Sequence, residues 1–254
     1  MMTVTTVHDA PESICAEARS RAALLSLPYE ERMANLEQMA GDSFLIYGKR
    51  GPALWKEGHV HAFHTGTAAL RIGQLAKGGG DRLCRLLPGT GCSVLDATFG
   101  EGKDSLVLSW YTGPEGHVTA LEKSPALWEI GRWGIRHFDA GEESVTAALR
   151  RIRLIRADFR EFLRQETPGY FDVIYFDTMF RRPVKRDENN REAFRSGACY
   201  DLIDEDVIKS ALRVAKQRVI VKERPFSVLF RSGLFDEIHH KRGQTTAYGV
   251  INKR

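Results

Sequence analysis

Acidic side chains close several apolar stretches of this chain that have the character of buried strands. Asp96, Glu122, Asp158 and Asp177 each stand at the last position of such a stretch. Successive parallel strands of a doubly wound sheet end at the same edge, so we expect these carboxylates to line one crevice. Carboxylate oxygens accept hydrogen bonds from hydroxyl and amino groups. The pattern therefore predicts a site for a nucleoside-like ligand at the carboxyl ends of the strands.

A glycine-bearing loop follows the first of these strands and leads into an apolar, helix-compatible segment. Gly100 and Gly102 allow the backbone to approach a ligand, and the amides of the next helical turn favour polar groups. Glu122 follows Gly100 at about the spacing at which nucleotide-binding folds place an acid for ribose hydroxyls. Asp158, at the next strand end, is the candidate acceptor for an adenine amino group. Alone, either acid could instead cap a helix or lie in a solvated turn.

The same loop discriminates between two adenosine-containing cofactors. A dinucleotide fingerprint requires a third glycine, and Ser105 occupies that position here. Asp96 adds negative charge that would repel a pyrophosphate, whereas an acid can hold the loop amides or pair with a cationic cofactor. The pattern favours S-adenosylmethionine over NAD, and an NAD oxidoreductase is the weakest of the alternatives.

A possible reaction centre follows the fourth strand. Its residues, from Tyr170 to Asp177, are almost continuously apolar, which is typical of a parallel strand covered on both faces. The segment Asp177-Thr-Met-Phe180 resembles the Asp/Asn-Pro-Pro-Tyr/Phe and Asp-Pro-Met-Phe motifs of amino-directed methyltransferases. A conjugated amino group is a poor nucleophile, so a site must accept its protons and hold the nitrogen in line with the methyl group. Asp177 and a neighbouring carbonyl could accept, and Phe180 could stack on a base or belong to the core.

These motifs together resemble class I S-adenosylmethionine-dependent methyltransferases, and among them the RsmJ family of bacterial small-subunit ribosomal RNA guanine-N2 methyltransferases and its uncharacterised relatives. The resemblance runs from about Val94 to the C-terminus. It is carried by Val94-Leu-Asp-Ala-Thr-Phe-Gly-Glu-Gly-Lys-Asp104, Leu121-Glu-Lys-Ser-Pro125, Asp177-Thr-Met-Phe180 and Val219-Ile-Val-Lys-Glu-Arg-Pro225.

The resemblance implies roles for individual residues of this chain. It implies cofactor roles for Asp96, Gly100, Asp104, Glu122 and Asp158, and the candidate cofactor-binding residues are completed by Thr98, Gly102 and Lys123 beside them. The candidate catalytic residues are Asp177, Thr178 and Phe180. Thr178 stands where the family pattern has proline, whose ring would have fixed the backbone at this point.

The fold expected from these segments is an α/β, Rossmann-like, class I methyltransferase domain with a doubly wound seven-stranded sheet. Its last strand, Thr245–Asn252, would insert antiparallel to its predecessor. We expect this domain over residues 81–254, after a small N-terminal α+β extension over residues 1–80 that ends at a run of three glycines. The extension is predicted to contain a strand over Thr3–Val7, helices over Glu12–Leu25 and Glu30–Met39, and a strand pair between Phe44 and Phe63.

Basic residues cluster immediately after the proposed reaction centre. The candidate substrate-binding residues are Arg181, Arg182, Lys185, Arg186 and, on a later strand, Lys222. Such a loop could position RNA through its phosphates, or could be a solvated loop balanced by neighbouring acids. The formal net charge of +4 is too small to decide between the two.

Composition limits the remaining possibilities. The chain has 254 residues, of which 43% are hydrophobic, and no stretch approaches the roughly twenty apolar residues that cross a bilayer. We expect a cytoplasmic location and no membrane association. Cys15, Cys84, Cys92 and Cys199 lack the spacing of a zinc site or a disulfide framework, so we expect no metal.

The function predicted from the sequence is methyl transfer from S-adenosylmethionine to an exocyclic amino group, with guanine N2 of ribosomal RNA as the substrate. The expected partners are ribosomal RNA or the small ribosomal subunit. Two alternatives remain open at this point: a small-molecule methyltransferase of the same fold, and a non-catalytic RNA-binding protein that retains the fold.

Overall fold

The computed structural model describes residues 1–177 and 203–254, and these form two compact units. Of the described residues, the first unit contains Met1–His64 and Ser124–Phe138. The second contains Thr65–Lys123, 139–177 and 203–254. The predicted boundary near residue 80 stays a prediction, because the first unit as described also includes a helix from the middle of the chain.

The first unit is a four-stranded sheet with two helices. Its elements are β1 (Met2–Thr6), α1 (Glu12–Leu25), β2 (Ser43–Gly48), β3 (Gly51–Lys56), β4 (His59–Ala62) and α4 (Pro125–His137). The strand order is β1-β2-β3-β4, in which β1 and β2 are parallel and the other pairs antiparallel. Helix α4 packs against β3, where a Cβ on Gly51 would lie 2.3 Å from the ring of Trp133.

Two predictions for the extension are corrected by the structure. The helix predicted over Glu30–Met39 is wrong, because the backbone of Pro28 and Glu30 pairs with both polar groups of Val4 and is held extended. Only a short 3-10 turn, Leu36–Gln38, forms in this stretch, and the Asn35 side chain caps it. The predicted strand pair between Phe44 and Phe63 is a three-stranded meander, β2 to β4.

The second unit is built on a seven-stranded sheet. Its elements are α2 (Gly66–Ala76), β5 (Ser93–Asp96), α3 (Lys103–Thr112), β6 (His117–Glu122), α5 (Glu143–Arg151), β7 (Arg153–Arg156), α6 (Phe159–Gln165), β8 (Phe171–Asp177), α7 (Glu205–Val214), β9 (Ala215–Glu223), β10 (Glu237–His240) and β11 (Ala247–Asn252). The strand order is β10-β11-β9-β8-β5-β6-β7. Strands β5 to β9 are parallel, and β11 inserts antiparallel between β9 and β10. The predicted doubly wound, Rossmann-like sheet with its antiparallel last strand is confirmed.

Alternation along the central strands creates a core on each face of this sheet. Val94 and Val173 face the side that packs with α3, whereas Leu95 and Ile174 face the side that packs with α6 and α7. All four side chains are fully buried. Successive residues of a strand point to opposite faces, so these apolar runs can fill both cores at once. The sheet is thereby fixed, and the carboxyl ends of β5, β6 and β8 are held at one edge.

Within the described residues, no helix is long and apolar enough to cross a membrane.

Candidate active site at the carboxyl ends of the central strands

Asp96 organises the loop that follows β5. Its side chain is buried, and its two oxygens accept hydrogen bonds from the Thr98 amide at 3.1 Å and from the Ser105 hydroxyl. Burial raises the pKa of Asp96 to about 7, although both donors oppose that shift. The carboxyl group therefore ties the start of the loop to the first turn of α3. Holding the loop is one of the two roles predicted for Asp96.

The glycine loop is held from the next strand by Glu122. The Gly100 amide donates to Glu122 Oε2 at 3.0 Å, across the carboxyl ends of β5 and β6. Gly100 and Gly102 both have positive φ, at 55° and 74°, and a Cβ on Gly102 would lie 2.4 Å from the Phe99 ring. A side chain at this position would displace the loop. The sequence therefore forms a tight backbone cradle with a buried carboxylate on its rim.

Asp158 lies at the start of α6, beyond the end of β7. Its carboxylate accepts from the Arg160 amide at 2.8 Å and from Lys123 Nζ at 2.8 Å. Burial would raise the pKa of Asp158, but Lys123 and the amides of α6 outweigh burial and lower it. Asp158 is thus an ionised helix cap, and its predicted contact with the cofactor stays a prediction.

Asp104 lies under the loop, in the first turn of α3, and its carboxylate is enclosed by three donors. The Tyr175 hydroxyl donates to Oδ2 at 2.7 Å and Lys222 Nζ donates to the same oxygen at 2.8 Å, while Arg71 contacts Oδ1. Arg71 also donates two hydrogen bonds to Asp81, at 2.7 and 3.0 Å. Burial alone would raise the pKa of Asp104, but the two cations hold it well below its usual range.

Asp177 stands at the end of β8, beside both the loop and Lys222. Its amide donates to Thr98 Oγ1 at 2.6 Å, and its Oδ2 accepts from Lys222 Nζ at 2.7 Å. Its side chain is 35% exposed, in contrast to 10% for Asp104. Burial raises the pKa of Asp177 to about 6, Lys222 acts against this rise, and Asp104 adds to it. The carboxylate therefore lies at the outer end of a buried chain of charges.

The structure brings most of the predicted residues to one edge of the sheet. Thr98 bonds to both Asp96 and Asp177, and Gly100 of the same loop bonds to Glu122. Asp158 lies one strand further along, after β7, and contacts Lys123, which directly follows β6. The predicted residues Thr178, Phe180, Arg181, Arg182, Lys185 and Arg186 lie outside the described residues.

Three members of the site were missed at the sequence level: Arg71, Asp81 and Tyr175. Arg71 lies on a helix for which no prediction was made, and an isolated arginine carries no spacing signal. Tyr175 alternates with Asp177 along β8, so both side chains leave the same face of the strand. That alternation was the one available signal, and it indicated a tyrosine beside the reaction centre.

A family model described as "Putative SAM-dependent methyltransferase" matches residues 55–241, which is most of the chain. The chain belongs to this family. It is an S-adenosylmethionine-dependent methyltransferase, and S-adenosylmethionine is its cofactor.

Related proteins align with much or all of this chain. The uncharacterized protein YpiP of Bacillus subtilis (strain 168) is 29% identical over 254 residues, covering 98% of each chain. The ribosomal RNA small subunit methyltransferase J of Thioalkalivibrio sulfidiphilus is 33% identical over 162 residues, covering 62% of this chain and 61% of its own length. The protein of the same name from Stutzerimonas stutzeri is 29% identical over 218 residues, covering 83% and 81%. The chain thus spans between about three-fifths and four-fifths of these two methyltransferases.

Among solved structures, the SAM-dependent methyltransferase NGO1261 from Neisseria gonorrhoeae aligns with a TM-score of 0.60 at 20% identity. The alignment covers 99% of this chain and 96% of that chain. This likeness supports the methyltransferase fold described above.

The carboxylate acceptors and the glycine loop at the edge of the sheet fit the cofactor of this family. S-adenosylmethionine combines ribose hydroxyls, an adenine amino group and a sulfonium cation, and supplies an electrophilic methyl group when bound. The buried carboxylate of Glu122 suits hydroxyl donors, and the glycine cradle admits a close backbone approach. The acids of the site favour a cation, where a pyrophosphate would be repelled.

Proposed function

We propose that this methyltransferase acts on an exocyclic amino group of an RNA base, specifically guanine N2 in small-subunit ribosomal RNA. The observation that carries the proposal is the Asp177 carboxylate, which is partly exposed at the end of β8 and tied through its amide to the glycine loop. Relatives named ribosomal RNA small subunit methyltransferase J support the RNA substrate.

Asp177 supplies what an aromatic amino group needs in order to react. The lone pair of such a nitrogen is delocalised into the ring, and a carboxylate that accepts an N–H hydrogen bond orients the nitrogen and increases its electron density. As the nitrogen forms its bond to the methyl carbon, the bond from that carbon to the sulfonium sulfur breaks, which leaves a neutral thioether, and one N–H proton must leave the nitrogen. The Asp177 carboxylate, or water beside it, takes that proton.

Within this proposal, the cofactor is held by the elements that flank Asp177. Glu122 accepts from the ribose hydroxyls, Asp158 accepts from the adenine amino group, and Asp96 keeps the loop closed through Thr98 and Ser105. The substrate and the named relatives suggest that the protein works in the cytoplasm, with the small ribosomal subunit or its RNA as partner.

The proposal is tested by incubating the purified protein with radiolabelled S-adenosylmethionine and small ribosomal subunits from a strain that lacks the gene. We expect label in the RNA, recovered as N2-methylguanosine after digestion. Asp177→Asn should abolish most of this label, while Asp206→Asn, a matched change at a side chain that is 93% exposed on α7, should leave it unchanged.

Two results would contradict the proposal. Label in a different nucleoside would refute the guanine N2 assignment. An absence of label in subunits and in protein-free RNA, despite cofactor binding by the same preparation, would refute the RNA substrate and favour a small-molecule methyltransferase.

A further inference from the structure

A continuous chain of alternating acids and bases runs beneath the site and ends at Asp177. It passes from Asp81 through Arg71, Asp104 and Lys222 to Asp177, and every link is an ion pair. The two pairs made by Lys222 measure 2.8 Å to Asp104 and 2.7 Å to Asp177. The two residues of each pair are at least ten positions apart in the sequence, so the chain of charges exists only in the folded unit.

Strand register places Lys222 at this point. Asp177 and Lys222 are partners on the parallel strands β8 and β9. Tyr175 leaves β8 on the same face as Asp177, and its hydroxyl binds the oxygen of Asp104 that also accepts from Lys222. The ammonium group is therefore fixed from two sides, by the strand that carries it and by the carboxylate under it.

Burial makes the members of this chain depend on one another. The side chains of Arg71, Asp104 and Lys222 are 23%, 10% and 19% exposed. A buried charge that loses its partner is strongly unfavourable, so Asp104 holds Lys222 in its charged form and Arg71 holds Asp104. Burial would lower the pKa of Lys222, but the carboxylates of Asp104 and Asp177 keep it above its usual value.

We infer that Lys222, anchored by Asp104 and Arg71, is a positioning residue that holds the Asp177 carboxylate in its ionised form and by one oxygen. Lys222 engages Oδ2, and in this proposal Oδ1 is the oxygen that accepts from the amino group of the substrate. The inference rests on the proposed role of Asp177. It replaces the direct contact with substrate that the sequence suggested for Lys222, and it makes Asp104 an anchor for that lysine.

The charges around Asp177 set the direction of the expected effect. The acids Asp96 and Asp104 disfavour ionisation of Asp177, and Lys222 favours it. The nearby Tyr175 and Tyr248 are neutral. Removing the lysine charge should raise the pKa of Asp177 further above its present value. Because the carboxylate is the active form, the rise of activity with pH should then occur at a higher pH.

The inference is tested by single-turnover methyl transfer from pH 5.5 to 9, with cofactor and RNA saturating. Lys222→Gln, which keeps hydrogen bonding but removes the charge, should displace the acid limb by about two units, so that the rate at pH 7 falls by about tenfold and recovers at high pH. Lys222→Arg should keep the limb near its original position. A Lys222→Gln profile that is lower but parallel to that of the native protein would overturn the inference.

A second readout keeps this test independent of the substrate. The carboxyl ¹³C resonance of Asp177, assigned by its loss in Asp177→Asn, should titrate at a higher pH in Lys222→Gln than in the native protein. An unchanged titration would overturn the positioning role. A shifted titration in a protein that methylates no RNA would instead preserve that role and refute the proposed function.

A separate observation concerns the surface that follows β9. Phe226 is 80% exposed, four positions beyond Lys222, and its ring meets that of His240 edge-on with centroids 6.4 Å apart. Lys241 and Arg242 follow on the same exposed turn. The two acids of this segment each have a partner: Glu237 pairs with His239, and Asp236 pairs with Arg254.

We propose that this aromatic and basic surface binds the RNA strand that flanks the methylated base. An exposed phenylalanine offers a stacking face to any base, and the neighbouring cations suit phosphates. The surface begins where β9 ends, and β9 is parallel to β8, so it lies at the same edge of the sheet as Asp177. This proposal also rests on an RNA substrate, but it does not require Asp177 to be catalytic.

Binding of a short fluorescein-labelled RNA hairpin, measured by anisotropy at several salt concentrations without cofactor, tests this surface. Phe226→Ala should weaken binding about tenfold at every salt concentration, as expected for one lost stacking contact. Lys241→Ser combined with Arg242→Ser should reduce the salt dependence by about two phosphate contacts. Tyr170→Ala, which removes an aromatic that is 52% exposed before the start of β8, is the matched control and should bind normally.

Equal affinities for Phe226→Ala and Tyr170→Ala would overturn the proposed surface. If methylation of RNA is nevertheless observed with the native protein, the proposed function stands and the flanking strand binds elsewhere. Failure of the native protein to bind RNA would refute both.

Discussion

Each of the two units contains a buried cluster in which acidic side chains pair with basic side chains and with a tyrosine hydroxyl. The clusters differ in whether one of their acids is exposed to solvent. In the first unit, Glu129 is fully buried and receives hydrogen bonds from Arg21, Arg132 and the Tyr47 hydroxyl, shared over both its oxygens. In the second unit, the chain of charges ends at Asp177, which is 35% exposed. A closed cluster stabilises a fold, whereas an open one presents a charge to a ligand.

The pKa values of Glu129 and Asp177 are shifted in opposite directions, because the balance between burial and the neighbouring charges differs between the two clusters. Burial would raise the pKa of Glu129, but two arginines outweigh burial and lower it. The pKa of Asp177 is raised to about 6, because burial and the nearby Asp104 together outweigh one lysine. General base chemistry requires a pKa near the working pH, which the pKa of Asp177 approaches, whereas the lowered pKa of Glu129 fits its ion pairs with two arginines.

The largest expected effect concerns the closed cluster. Glu129→Gln leaves Arg21 and Arg132 without a countercharge, so we expect the free energy of unfolding to fall by about 3–5 kcal/mol. Urea denaturation measures this loss. Glu17→Gln, on an exposed position of α1 in the same unit, is the control and should change stability by less than about 0.5 kcal/mol. A Glu129 variant as stable as this control would show that the closed cluster is not a structural element.

A smaller effect is expected at the rim of the glycine loop. Glu122→Gln keeps the size of the side chain but replaces one acceptor oxygen by an amide donor, so affinity for S-adenosylmethionine should fall by about tenfold, or about 1.4 kcal/mol. Isothermal titration calorimetry provides the measurement. The control is Glu115→Gln, a change at an exposed acid just before the first residue of β6, and this variant should bind the cofactor normally. Equal affinities would remove Glu122 from the cofactor site.

The smallest effect is the pH dependence of stability at Asp177. Because its folded pKa lies above that of an unfolded aspartate, the folded state binds more protons between about pH 4 and 6, and ionisation lowers stability as pH rises. Asp177→Asn removes this cost. The free energy of unfolding of the variant should therefore rise relative to that of the native protein by about 1 kcal/mol from pH 4 to 7, after allowance for screening of a partly exposed group. Urea midpoints across this range would show the gain, and a gap that shrinks with rising pH would contradict the raised pKa.

The elements that the sequence predicted well are those with local signals. Helix α1 has the predicted bounds and β6 ends at Glu122 as predicted, because periodicity and the flanking Pro11 and Gly116 act within a few residues. The acids at the strand ends were found because parallel strands share one edge. The helix predicted over Glu30–Met39 failed because pairing with Val4, remote in sequence, overrode local propensity.

The interior of the site depends on contacts that no local pattern contains. Lys222 reaches Asp104 across 118 positions of the chain, and Arg71 reaches it across 33. Sequence reasoning could place Lys222 near a strand end, but it could not show that the lysine is held between two carboxylates. The distinction between an open and a closed cluster is therefore visible only in the folded protein.

The most direct test of this account is the single-turnover rate of methyl transfer to unmodified small ribosomal subunits by Asp177→Asn, measured together with its affinity for S-adenosylmethionine. We expect the rate to fall by about 100-fold or more, with cofactor affinity close to that of the native protein, because the carboxylate acts on the amino group of the substrate. A rate close to that of the native protein at saturating cofactor would contradict the assignment of Asp177 as the acceptor at the reaction centre.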